Sequence, residues 1–201
     1  MLLQRSESEE LAYKLADSSL ISDEQRAKKL YWNFLLMCVA FSCNHGCVVS
    51  CLAYASTELG DDLGGVGSGV LYAFYTFTSL LFARPIVEMI GPKNGLLMGV
   101  MGYCIYIAGF LAAILFQGTT FAWPVFITAC SFGGMAGGVL WPSQGKYFTE
   151  NAKQYSTATS KPMEECTATF AGIFATSYLG LELVTKGLAT GVFLLFPKGA
   201  Y

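Results

Sequence analysis

His45 is the only histidine of the 201-residue chain, and it follows Asn44 in the middle of an apolar run. A polar or ionisable group in such a position is costly in a membrane and faces a cavity, a partner or a ligand. Three chemistries fit an isolated imidazole there: a proton relay, axial ligation of a tetrapyrrole metal, or donation to a neighbouring carbonyl. Gln144, Glu182 and Lys186 also interrupt apolar stretches. Together with Asn44 and His45 they are candidates for lining a ligand or proton pathway. Glu182 and Lys186 stand one turn apart with the acid first, the better order for a helical ion pair, so mutual neutralisation is the competing reading.

Two further patterns concern packing. Cys43, Cys47 and Cys51 recur every four residues and so share a helix face. A metal site would need a second Cys or His cluster to complete its shell, and none is present, so the stripe reads as a seam of small residues. Gly133 to Tyr155 contains a Gln-Gly-Lys that suggests a phosphate loop, but Leu140 and Tyr147 occupy the places where that motif needs Gly and Ser or Thr. Gly133, Gly134, Gly137 and Gly138 instead form overlapping small-xxx-small frames, the spacing that lets two helices approach closely in lipid. Trp141, Tyr147 and Phe148 follow as expected markers of a membrane interface. No nucleophile and base stand at a spacing that suggests an enzyme.

The elements that must position these residues are membrane helices. The chain is 54% hydrophobic and 13% charged, and the apolar residues gather in blocks rather than spreading evenly. A helix needs about 20 mostly apolar residues to cross a bilayer. Five blocks meet that length, at about 30–55, 66–90, 96–116, 121–144 and 167–196. A membrane barrel would show strict alternation over about ten residues, which runs such as GFLAAILF lack. An all-α membrane protein follows, with residues 1–29 as a polar, acidic tail and 30–201 as the transmembrane domain. Ser6 with Glu9, and Ser22 with Gln25, have capping-box spacing, which predicts a short surface helix and then a new helix start near Ser22.

Charge sets the expected orientation. Ten of the twelve Lys and Arg residues fall in the tail, the second loop and the fourth loop, while the first loop carries only acids. Lys and Arg accumulate on the untranslocated side, so the N-terminus is expected in the cytosol, or the matrix or stroma of an organelle, with the C-terminus near Lys198 opposite. A net charge of -2 without a basic cluster gives no sign of nucleic-acid binding. The seven Cys residues do not form a disulfide framework, because none sits in an obvious translocated loop.

The stretch GMAGGVLWPSQGKYFT resembles the hallmark of the Unc-ninety-three-like branch of the major facilitator superfamily. Support comes from LGDDLGGVGSGVLYAFYTFTSLL, which is similar to that branch's entry to its second helix, and from MIGPKNGLLMGVMGYCIYIAG, which resembles its turn and following helix. The same turn resembles a degenerate form of the superfamily's loop motif: Arg84 replaces the first Gly, Glu88 replaces the Asp, and Gly91 and Lys93 match. The resemblance spans residues 30 to about 185 and implies five helices of an N-terminal half-bundle. In that superfamily, substrate binds between two six-helix halves that rock against each other.

The resemblance implies a non-enzymatic accessory, regulatory or structural subunit, since the branch is associated with ion-channel regulation and with escorting other membrane proteins. Its expected partners are the lipid bilayer and other membrane subunits. In a respiratory or photosynthetic complex, His45 would be a candidate ligand for haem or chlorophyll. The alternative is a solute transporter, with Asn44, His45, Gln144, Glu182 and Lys186 facing one cavity.

Overall fold

The computed structural model describes residues 2–195, all helix and short connections with no strand among them. Six helices follow in order: α1 (Leu2–Leu59), α2 (Asp61–Leu81), α3 (Ala83–Ile90), α4 (Pro92–Leu115), α5 (Ala122–Thr159) and α6 (Met163–Leu195). Four stretches are each long and apolar enough to cross a membrane: Ser22–Leu59, Pro92–Leu115, Ala122–Thr159 and Met163–Val192. α2 and α3 together make a fifth, bent by 64°.

The bend has a local cause. Pro85 has no N–H with which to bond the Leu81 carbonyl, and its ring crowds the preceding turn, so a helix running through it must break or kink. The ladder closes with Phe82 N–H donating to Thr78 O at 2.9 Å and restarts with Ile86 N–H donating to Phe82 O at 3.0 Å. The block expected as one span over 66–90 is therefore two helices. Pro142, inside α5, is accommodated without ending the helix.

Several boundaries differ from the sequence reading. No new helix begins near Ser22, because α1 runs unbroken through it and no Gly or Pro between 22 and 30 would stop it. The side chains of Ser6 and Glu9, and Lys198, lie outside the described residues. The acidic first loop shrinks to Gly60, whose φ of 86° and ψ of 155° belong to a region essentially confined to glycine. Asp61 and Asp62 lie in the first turn of α2, where acids complement the helix dipole. Gly91, at φ 79° and ψ 160°, makes the same kind of joint between α3 and α4.

The fourth loop shrinks too, because α5 continues to Thr159 and carries Lys146, Glu150 and Lys153 on its surface. Its 38 residues make it about 57 Å long at 1.5 Å per residue, well beyond a hydrocarbon core of about 30 Å. α1 and α5 therefore project from the membrane side by side. Lys161, in the short connection that follows, pairs with Glu165 at 2.6 Å, and that carboxylate holds its ammonium above the ordinary lysine range.

α5 is the centre of the bundle, packing most extensively on α4 and then on α2, while α6 lies chiefly on α1. The glycine frames explain the α5 contacts. A Cβ on Gly134 would lie 2.3 Å from the Leu71 carbonyl oxygen, and one on Gly138 would lie 2.9 Å from the Ser79 nitrogen, both backbone atoms of α2. Gly133 lies against Tyr106, and Gly137 against Tyr75 and Tyr103. From α4, Gly99 meets Leu140 and Gly95 meets Ser143.

The cysteine stripe is arranged differently. Cys43 and Cys47 are exposed and Cys51 is half-buried, so the stripe forms no continuous seam within this chain. Periodicity places the three on one face, and that face looks mostly away from the bundle. A second cluster forms near the Lys-rich end, where Phe34 and Phe170 stack at 4.4 Å and join Cys38 and Ala152 in full burial.

Candidate functional site

His45 lies inside the bundle with an exposure of 9%, surrounded by rings from four helices. Trp141 of α5 and Tyr178 of α6 both have ring centres 5.3 Å away, with Tyr103 of α4 at 5.9 Å and Phe41 of α1 at 6.0 Å. Trp141 packs edge-on to the imidazole at 85°, whereas Phe41 lies nearly parallel at 17°. The buried Nδ1 of His45 has no hydrogen-bond partner among the described residues.

Helical spacing makes the box. Phe41 and His45 are four apart on α1, as are Phe174, Tyr178 and Glu182 on α6, so each helix presents its ring and polar groups along one stripe. Trp141, expected at the membrane interface, instead points into this box and also packs against Phe41 and Tyr178. Tyr178 and Phe41 carried no signal in the sequence beyond being aromatic residues in apolar runs, whereas Tyr103 lies in the MIGPKNGLLMGVMGYCIYIAG stretch that carries the resemblance.

Along α6 the box opens onto charge. The Lys186 ammonium donates to Glu182 Oε1 at 2.5 Å, one turn beyond Tyr178. Glu182 and Lys186 are close enough to act electrostatically on His45, with opposite signs. Their side chains are 20% and 45% exposed, so the pair lies at the edge of the α1/α6 contact. The helices are close here: a Cβ on Gly46 would overlap Thr185, and Tyr54 and Thr190 share a hydrogen bond of 3.0 Å.

The remaining candidates are distributed around this core. Asn44 faces α4 rather than α6, donating to Cys104 Sγ at 3.4 Å, and its buried Oδ1 has no partner among the described residues. Gln144 is buried on α5, one turn past Trp141. The loop-motif residues form a separate group at the Lys-rich end. Arg84 pairs with Glu88 at 2.9 Å on the exposed surface of α3, and Gly91 joins α3 to α4 two residues before Lys93. No cluster of three or more His, Cys, Asp or Glu suited to a metal ion occurs among the described residues.

Comparison with known proteins gives this arrangement a family. Residues 58–185 match the family model described as ion channel regulatory protein UNC-93. UNC93-like protein 3 of Arabidopsis thaliana is 31% identical over 101 residues, which is 50% of this chain and 20% of that protein. An uncharacterized membrane protein of Schizosaccharomyces pombe is 26% identical over 178 residues, covering 83% of this chain and 34% of the relative. The chain thus spans between about a fifth and a third of the length of these curated relatives. No solved structure matches. The family match takes in the end of α1, the whole of α2 to α5 and most of α6, and the chain belongs to the UNC-93 family of ion channel regulatory proteins.

Proposed function

We propose that this chain is a non-enzymatic accessory subunit that docks within the membrane on a larger membrane assembly, with its Lys-rich end on the untranslocated side. The observation that carries the reading is α6. Leu179, Leu183, Val184 and Leu188 are all exposed along it, flanking the partly exposed Glu182–Lys186 pair. Lipid alone is a poor solvent for an ion pair, and a neighbouring helix that covers α6 would shield it. The regulatory description of the family supports the same reading.

The tagged chain, isolated from a membrane of its native host, should appear by native mass spectrometry as a complex containing a stoichiometric second polypeptide. Leu183→Trp, which adds bulk to the proposed contact, should release that polypeptide. Isolation of the chain alone in both cases would sink the proposal.

The polar cluster between α1 and α6 favours one other reading, solute transport of the major facilitator kind, with His45, Glu182 and Lys186 lining the path. Transporters of that design bind substrate near the bilayer midplane between helical repeats. Solute uptake by proteoliposomes that contain the chain and no other protein would favour this reading over the accessory role.

A further inference from the structure

Among the exposed basic side chains at the Lys-rich end, Lys93 also lines an apolar groove. Arg84 and Lys161 each pair with a carboxylate four residues on, whereas Lys93 has no acidic partner among the described residues. It sits in the first turn of α4, at the mouth of a groove of about 320 Å³ between α1 and α4. The walls below it are apolar, from Met37 and Ala40 on one side and Leu97 and Val100 on the other, and Tyr147 of α5 closes the groove. Asn94, beside Lys93, donates its side-chain amide to the Ile90 carbonyl at 2.8 Å and also lines the groove.

We propose that this groove binds an acidic phospholipid, with the headgroup on Lys93 and one acyl chain lying along Met37, Ala40, Leu97 and Val100. Depth and charge both select that ligand. α4 is a membrane span that begins at Pro92, so Lys93 stands at the level where headgroups lie, and the groove runs from there into the hydrocarbon region. A net anionic headgroup complements an unpaired ammonium, at about 1 kcal/mol per Lys near the surface. A zwitterionic lipid lacks the net charge, and a free phosphate lacks the chain that would fill the apolar walls. The larger groove of about 790 Å³ bounded by α2 to α5 has no charged residue in its lining, so nothing there selects a headgroup.

The test is native mass spectrometry of the full chain, purified in detergent and stripped of lipid, with phosphatidylserine or phosphatidylcholine of identical acyl chains added back. The wild-type chain should retain one phosphatidylserine with about five-fold preference over phosphatidylcholine, the ratio equivalent to about 1 kcal/mol. Lys93→Ala, at an exposed site, should abolish the preference. Ala40→Trp, which fills the groove from its exposed wall, should weaken retention of both lipids, and Arg84→Ala should change neither. Equal retention of phosphatidylserine by the wild type and Lys93→Ala would overturn the headgroup contact. Undiminished retention by Ala40→Trp would overturn the groove, and full displacement by inorganic phosphate would reduce the site to one for a bare anion.

Discussion

Gly134→Ala should destabilise the bundle by about 3 kcal/mol, at the upper end of the usual cost of overpacking. The new methyl would lie 2.3 Å from the Leu71 carbonyl oxygen and 3.0 Å from the Tyr75 nitrogen, and backbone atoms of a packed helix cannot rotate aside as a side chain can. Relief requires α2 and α5 to separate, and separation forfeits the dispersion contacts on which helix association in lipid depends. Gly138→Ala should behave similarly, with Thr78, Ser79 and Tyr75 all within 3 Å of its Cβ. Gly145→Ala is the control, being on the same helix with nothing within 4 Å of its Cβ. There the only effect is helix propensity, and alanine is favoured by up to about 1 kcal/mol. Unfolding of detergent-solubilised protein should therefore shift down for Gly134→Ala and level or up for Gly145→Ala. If the two variants shift alike, the seam does not set the α2–α5 distance.

Glu182→Ala should cost about 2–3 kcal/mol, the scale for an unpaired charge within a membrane helix. Its removal strands the Lys186 ammonium, which loses its 2.5 Å partner on a helix that lies mostly outside the packed core. Lys186→Ala should be costly for the mirror reason, because the less exposed Glu182 then lacks its cation. The double variant Glu182→Ala/Lys186→Ala should recover most of the loss, since removing both charges leaves nothing stranded. A double-mutant cycle in a fixed detergent measures the coupling directly. Additive losses would show that the two charges have separate partners, against the geometry. Glu182 stands one turn from Tyr178, whose ring packs against Trp141, so disturbing the pair should loosen the aromatic box and alter Trp141 fluorescence.

The helical type of the elements and the approximate number of spans were legible in the sequence because the bilayer sets them: a span needs a long apolar run, and these runs are present. Helix ends were less legible. A bilayer limits the apolar part of a helix and says nothing of its polar continuation, so α5 extends to Thr159 through residues that contain no breaker after Gly145. Pro85 was a visible local signal for the α2–α3 bend, yet hydropathy averaged over the block concealed it.

Site residues divide along the same line. Asn44, His45, Glu182 and Lys186 stood out because a polar group within an apolar run is costly wherever its helix packs. The Glu182–Lys186 pair is one turn of a single helix, so spacing sufficed to predict it. Tertiary structure alone decided which faces meet. The glycine frames and the cysteine stripe have equally clear helical spacing, but Gly134 and Gly138 abut α2 while Cys43 and Cys47 look outward. Trp141 turned inward to His45 for the same reason: periodicity determines which residues share a face, and only the packing of distant helices determines what covers it.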